Sequence, residues 1–338
     1  MTHDSTPHAS ASGAANQAGS FHIYPKPPKT FIEQAGIMAS RGMDIRDTED
    51  AASWLSDVNY YRASGYWLTF KHGDTFMPGT SLDDIQSVYG LDSELRLWLW
   101  TAISRIEIKA RTSFAYHLSM ATGSAMAYEN PVYFKNRSSH EGAMKAIEKE
   151  RDRAYDEGVP CVRHNMDTYH MLPLWAVVEI TSMGMISRMY GNLSDAARYP
   201  DGRTVRDAIA GDFDISPVHL QSWLRHLTYV RNLCAHHRRV YNRMMTTLPK
   251  LLDSDKAVLN TKHGGSSKRV FTSIVIIMRI FQRAWPDDWP GMARRLAKVI
   301  DSHPGVSLSP MGFPGDWKKI IGVDRDGNHD LEEETPRD

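Results

Sequence analysis

The stretch SPVHLQSWLRHLTYVRNLCAHHRRVYNRMM, residues 216–245, decides the reading of the fold. Ser216 stands as an N-cap and Pro217 at the first helical position, an unusually clear helix start. At about 100° per residue, with Arg231 set at zero, one line near 300° collects Leu220, Trp223, Leu227, Val230, Cys234 and Tyr241. That is a core face. Asn232, His236, Arg239 and Arg243 fall almost diametrically opposite, and Arg231 lies at the boundary, where its long side chain can curl over the polar stripe. The expectation is one helix running on through Arg243.

The same period recurs outward from this segment. TFIEQAGIMASRG carries Thr30 as N-cap, Glu33 at the capping-box position and Gly42 as a stop. DTEDAASWLSDVNYYRASGYW reads as a second helix breaking near Gly65. SLDDIQSVYGLDSELRLWLWTAISRIEIKARTSFAYHLSMATG reads as one or two long helices, with Leu95, Trp98, Leu99, Ala102, Ile103 and Ile106 on the apolar line. LPLWAVVEITSMGMISRMYGNL opens at Pro173 and ends at Gly191. LDSDKAVLNTKHGGSSKRV is a loop, followed by the helix beginning at Phe271 and a short helix in PGMARRLAKVID. Period-2 alternation is hard to find. The expectation is an all-α chain of about eight helices. Residues 1–22, small and polar, are expected to be disordered, with a single helical domain over 23–300 and an extension over 301–338 ending in an acidic tail.

Composition narrows the function classes. Hydrophobic residues at 41% and charged residues at 24% are enough to bury a sizeable core. Forty basic residues balance forty acidic ones, so any polyanion site must be a local concentration of charge rather than a global field. Only Cys161 and Cys234 occur, which argues against a disulfide framework and fits a reducing cytoplasm. The N-terminus has no apolar signal region. The most apolar run, Phe271 to Phe281, is interrupted by Arg279 and is too short to span a bilayer.

The polar stripe of residues 231–243 carries the chemistry. Most such stripes are solvated faces. Here, however, a histidine able to titrate near neutrality stands among guanidiniums able to grip a phosphate bidentately. That combination suits phosphodiester cleavage without a metal, the histidine moving protons and an arginine stabilising the phosphorane. A zinc site would want histidines at i and i+4 with further ligands. His236 and His237 are adjacent, and His164 and His170 lack a matching spacing. Cys234 falls on the core face and reads as a small hydrophobe, not a nucleophile. His237 points toward the flank of the core and reads as a packing residue.

RNLCAH, Arg231 to His236, resembles the R-x4-H motif of HEPN-domain ribonucleases, in which a polar residue such as Asn often follows the Arg. KPPKTFIEQAGIMASRGM, LSDVNYYRASGYWLTF, FMPGTSLDDIQSVYGLDSELRLWLWTAISRIEIKARTSFAYHL, LPLWAVVEITSMGMISRMY and LTYVRNLCAHHRRVYNR resemble, in order, the blocks of the Abi-like family, the AbiD/AbiF group of bacterial abortive-infection proteins. The resemblance runs from Lys26 to Phe281. It implies a HEPN-like helical bundle, with its core at about 83–250 and additional N- and C-terminal helices, and a role in defence against bacteriophage. It also implies a metal-independent endoribonuclease without cofactors that leaves 2′,3′-cyclic phosphate ends. Such proteins commonly dimerise so that two motifs face each other. RNA is then the expected partner, as substrate and as a small non-coding regulatory RNA, with neither DNA nor membrane involved.

By that resemblance Arg231, Asn232 and His236 are the catalytic candidates. Glu107 and Arg111 match a polar pair on the preceding long helix, although their i, i+4 spacing also fits a simple intrahelical ion pair. Arg238, Arg239 and Arg243 are candidates to hold RNA phosphates. Tyr61 and Arg62, among Tyr60, Tyr66 and Trp67, offer stacking for bases, unless that group simply packs the N-terminal helices. Glu179, inside an apolar run, would need a partner if buried. The alternative to an enzyme is a non-catalytic HEPN module that holds a small RNA or a partner protein.

Overall fold

A computed structural model describes residues 26–259 and 268–323. The expected disordered residues 1–22 and the acidic end of the tail lie outside the described residues. The described residues fold as an all-α assembly with one small hairpin. The helices are α1 (Phe31–Ser40), α2 (Thr48–Val58), α3 (Tyr60–Ser64), α4 (Leu82–Thr122), α5 (Arg137–Asp156), α6 (Pro160–Tyr169) and α7 (Leu174–Ile180). They continue with α8 (Met183–Asn192), α9 (Val205–Gly211), α10 (Pro217–Ala235), α11 (Asp253–Val258), α12 (Val270–Ala284), α13 (Trp289–Asp301) and α14 (Trp317–Ile321). Strands β1 (Lys71–His72) and β2 (Thr75–Phe76) pair antiparallel across a two-residue turn in which Gly73 takes φ 60°, a conformation that glycine enters without steric cost.

The 41-residue α4 is the axis of the molecule, about 60 Å long at 1.5 Å per residue. Its start is fixed by a reciprocal capping box in which Ser81 and Asp84 satisfy each other's backbone N–H groups. Helices α7, α8, α9, α10, α12 and α13 all pack against it. Leu95, Trp98, Leu99, Ala102, Ile103 and Ile106 are buried on the expected line, and Trp98 Nε1 donates to the Met292 carbonyl of α13 at 3.0 Å. On α10 the expected core residues Leu220, Trp223, Leu227, Val230 and Cys234 are all buried.

Helix α12 is buried nearly all round, as a helix apolar on every side must be. Its interrupting cation is accommodated: Arg279 Nε donates at 2.8 Å to Asp255, a fully buried carboxylate on α11. No helix among the described residues is long and apolar enough to cross a membrane. Beyond α13, Met311, Phe313 and Trp317 are buried, and Trp289 Nε1 donates to the Ile321 carbonyl at 2.9 Å. The extension is thereby tied to the domain as far as α14.

Several boundaries differ from the sequence expectation. The capping box of Thr30 and Glu33 is present, with Gly42 beyond the helix end at φ 93°. The expected break at Gly65 is present, as the C-cap of α3, and a further break falls at Asn59, which adopts φ 70° and whose side chain caps α3 by accepting from the N–H of Tyr61 at 2.9 Å. The helix expected from Pro173 to Gly191 is two helices, because Thr181 is extended and Ser182 caps α8 by accepting from the N–H of Met185. The loop expected after Leu251 contains α11. Fourteen α-helical stretches among the described residues therefore replace the expected eight. Glu179 is exposed and needs no buried partner.

Candidate active site

The decisive local event is the end of α10. The helix stops at Ala235, with His236 as C-cap and His237 in the left-handed region at φ 50°. The Arg238 N–H donates to Leu233 O at 2.8 Å and the His237 N–H to Cys234 O at 3.0 Å. These are the paired 6→1 and 5→2 bonds of a Schellman stop, with histidine where glycine is usual. The helix expected to run through Arg243 thus ends eight residues earlier. Asn232 and His236 remain at the exposed helix end, but Arg239 and Arg243 leave the stripe. His237 is exposed in the turn and does not pack against the core.

A single carboxylate catches the departing chain. Asp92, fully buried on α4, accepts through Oδ1 from the backbone N–H groups of Val240 at 2.8 Å and Tyr241 at 2.7 Å. Its Oδ2 accepts from Tyr66 Oη at 2.8 Å and Arg96 Nε at 3.1 Å. Burial, reinforced by Asp92, raises the Tyr66 phenol well above its ordinary range, so it remains the donor. All four bonds converge on one carboxylate in a buried site, where unpaired polar groups are costly. Tyr241 is buried by this turn and not by the helix face that the sequence suggested.

Arg239 turns inward. Its guanidinium lies 6.0 Å from the Tyr66 ring centre, and Nη1 donates at 2.7 Å to Tyr241 O. It passes so close to Gly65 that a Cβ there would meet Arg239 Nε at 3.1 Å. Arg243 Nε donates to Arg239 O at 2.7 Å. Both arginines staple the turn, and burial works against the charge of Arg239. Arg238 stays exposed.

Arg231 meets α4. Its Nε lies 3.5 Å from Glu107 Oε2, and its guanidinium carbon lies 4.8 Å from the Trp100 ring centre. Glu107, buried to 7% exposure, also accepts from Arg111 Nη2 through Oε1. The i, i+4 pair is therefore real, and it also reaches across to the motif arginine. Arg231 Nε has no well-formed hydrogen bond. Its terminal amino groups, like the imidazole of His236, have no hydrogen-bond partner among the described residues. Asn232 is exposed, with no side-chain partner among the described residues. The arrangement offers a guanidinium braced from behind by a carboxylate and laid on an indole, at the same helix end as an exposed imidazole.

A profile of the Abi-like protein family matches residues 53–242, more than half of the chain. The chain belongs to the Abi-like protein family. Membership suggests a part in abortive infection, the defence of bacteria against phage, and is compatible with a nuclease. No curated protein and no solved structure matches it. The matched span of the Abi-like chain begins within α2 and closes just after the turn held by Asp92, so it takes in both halves of the site.

The N-terminal aromatic group of the Abi-like chain is mostly internal. Tyr66 and Trp67 are buried, and Tyr60 packs edge-on to Trp67 at 5.3 Å. Arg62 lies over Tyr89 and donates to its hydroxyl at 3.2 Å. Tyr61 alone of the proposed stacking residues is well exposed, at 75%. The Cys234 thiol is pushed up to about 12 by burial, which leaves no thiolate for nucleophilic work. Among the described residues no group of three or more His, Cys, Asp or Glu is placed to hold a metal ion.

Sequence reasoning missed Asp92 and Trp100. The signal for Asp92 was an acid one residue from Leu91 on the core line with Arg96 four residues on, a charge pair that the apolar face would bury. Trp100 gave no signal of its own, since its role depends on where α10 crosses.

Proposed function

We propose that this Abi-like protein is a metal-independent endoribonuclease, acting as a homodimer in the abortive-infection response. The observation that carries the reading is the Arg231–Glu107–Arg111 arrangement beside the exposed His236. Glu107 is ion-paired with the Nε edge of Arg231 at 3.5 Å and leaves the two terminal amino groups for a phosphate, a fork matched to phosphate oxygens.

The reaction follows from those groups. A neutral His236 imidazole removes the proton from a ribose 2′-hydroxyl, and the 2′-oxygen attacks the adjacent phosphorus. Arg231 stabilises the charge gathering on the phosphorane oxygens. The bond to the 5′-oxygen breaks, and a protonated imidazole returns a proton to that leaving oxygen. The products are a 2′,3′-cyclic phosphate and a 5′-hydroxyl. One chain supplies one motif, so a second copy supplies the second histidine. Asn232 orients His236 or the phosphate.

The test is incubation of the purified full-length protein with RNA in excess EDTA, with the new ends mapped. Cyclic-phosphate ends formed in EDTA support the reading, and cleavage abolished by EDTA contradicts it. One observation favours a second reading. Arg231 is already ion-paired with Glu107, which would also suit a module that holds a small RNA without cutting, with Arg238 as an exposed phosphate contact. Tight, salt-sensitive RNA binding with no new ends would favour that reading.

A further inference from the structure

A second chemically equipped cleft lies on the far side of α4. At about 100° per residue, Arg105 and Lys109 project roughly opposite to Glu107. Together with Thr112, Tyr116, the end of α9 and Trp285 they enclose an open cleft of about 560 Å³, large enough for one small ligand. Nothing in the catalytic reading uses it.

Its cations are unequal. Arg105 lies 4.4 Å from the Trp285 ring centre and is paired with Asp288 at 2.7 Å. Lys109 is half-buried, its ammonium 5.3 Å from the Phe213 ring centre and 5.6 Å from that of Trp285. It has no carboxylate partner among the described residues. An ammonium held against two rings with no counter-ion is a strong site for a ligand anion.

The floor carries the opposite chemistry. Asp212 Oδ2 accepts from Ser113 Oγ at 2.5 Å and pairs with His117 Nε2 at 3.0 Å. His117 Nδ1 is in turn 2.7 Å from Tyr199 Oη. Two donors thus fix the carboxylate through one oxygen, and Oδ1 makes no hydrogen bond among the described residues. A fixed carboxylate with a free oxygen beside a cation suits neighbouring hydroxyls more than a second anion. The Tyr116 ring at the other end of the cleft is 57% exposed.

We propose that this cleft binds one ribonucleotide unit. The phosphate sits on Lys109, a ribose hydroxyl donates to Asp212 Oδ1, and the base stacks on Tyr116. The unit is either a free mononucleotide or one residue of an RNA strand, since both present the same phosphate, ribose and base. The site stands whether or not Arg231 and His236 cut RNA.

The experiment is equilibrium binding to the full chain carrying His236→Ala, which removes turnover. The probes are 5′-AMP, 5′-dAMP, inorganic phosphate, and an eight-residue oligouridylate with its deoxy counterpart. The expectation is a ribose-dependent affinity that falls about tenfold with Lys109→Gln and about fivefold or more with Tyr116→Ala. Tyr116 is exposed, so its variant should unfold at the wild-type temperature, which separates a lost contact from a lost fold. Binding of 5′-AMP assigns a free nucleotide, and binding of the oligoribonucleotide alone assigns an RNA strand. Equal affinity for ribo and deoxy probes, phosphate binding as tightly as nucleotide, no binding by any probe, or affinities unmoved in both variants would overturn the proposal. None of these results depends on RNA cleavage by the wild-type chain.

Discussion

Replacing Asp92 by alanine should be among the most damaging single changes in the chain. Asp92 is fully buried and holds Tyr66, Arg96, Val240 and Tyr241. Asp92→Ala strands two backbone N–H groups, at about 1–3 kcal/mol each. It also leaves Arg96, only 6% exposed, as a buried unpaired charge at about 3–5 kcal/mol. Water entering the vacated space and the remaining bond from Arg96 to Ser93 relieve part of this, so the net loss should be roughly 5 kcal/mol. That is a large share of the typical 5–15 kcal/mol of a folded domain. In a chain of 338 residues it corresponds to a fall in unfolding temperature of roughly 7 °C. Asp92→Asn keeps an acceptor for the backbone N–H groups but turns an amide donor toward Arg96, and should lose about half as much. Asp92→Leu combined with Arg96→Met removes both charges and should recover part of the loss. The assay is urea and thermal unfolding of the four proteins. Losses below about 1 kcal/mol for Asp92→Ala, no more than an average point substitution costs, would refute the claim that this carboxylate organises the turn after the motif.

Three further outcomes follow from the same geometry. His226 is fully buried, with Nδ1 2.6 Å from the Thr247 carbonyl and Nε2 2.9 Å from Ser273 Oγ, and burial lowers its pKa to about 4 from 6.5. Its neutral form belongs to the fold, so its stabilisation is complete above pH 6.5 and about 3 kcal/mol is lost as pH falls to 4; urea midpoints against pH for wild type minus His226→Gln should show that slope, and a flat difference would contradict it. Cys161 is partly exposed and Cys234 buried, so a thiol reagent should modify one cysteine per native chain and the second only on unfolding, whereas two fast equivalents would contradict the packing. Glu107→Gln should free Arg231 and Arg111 from their shared carboxylate while keeping its shape, changing RNA cleavage far more than thermal stability; an unchanged rate would remove Glu107 from the site.

The sequence was most informative where one physical rule acts locally. Thr30 with Glu33 is a capping box in both sequence and structure, and the α10 core line from Leu220 to Cys234 is buried as its period requires. The all-α class follows from such lines. What the sequence concealed depends on tertiary context. The stop after Ala235 uses His237 in a left-handed conformation, and with no glycine the chain carried no local sign of it. The turn is stable because Asp92, nearly 150 residues away in sequence, accepts its N–H groups. Two strands of two residues each are too short to show alternation. Helix α5 buries only His140, Ile147 and Ala154, a line one residue wide that composition alone does not separate from a solvated segment. At the site, Glu107 and Arg111 were legible as a pair, but their contact with Arg231 needs the crossing of α4 and α10.

The most direct measurement is the single-turnover rate of RNA cleavage in EDTA by wild type, His236→Ala and Arg231→Ala, each first shown to fold as wild type does. If His236 moves the proton and Arg231 stabilises the phosphorane, each variant should lose about 10²–10⁴-fold in rate while still binding RNA. Wild-type rates in either variant, or no cleavage by the wild-type chain under conditions where it binds RNA, would contradict the account.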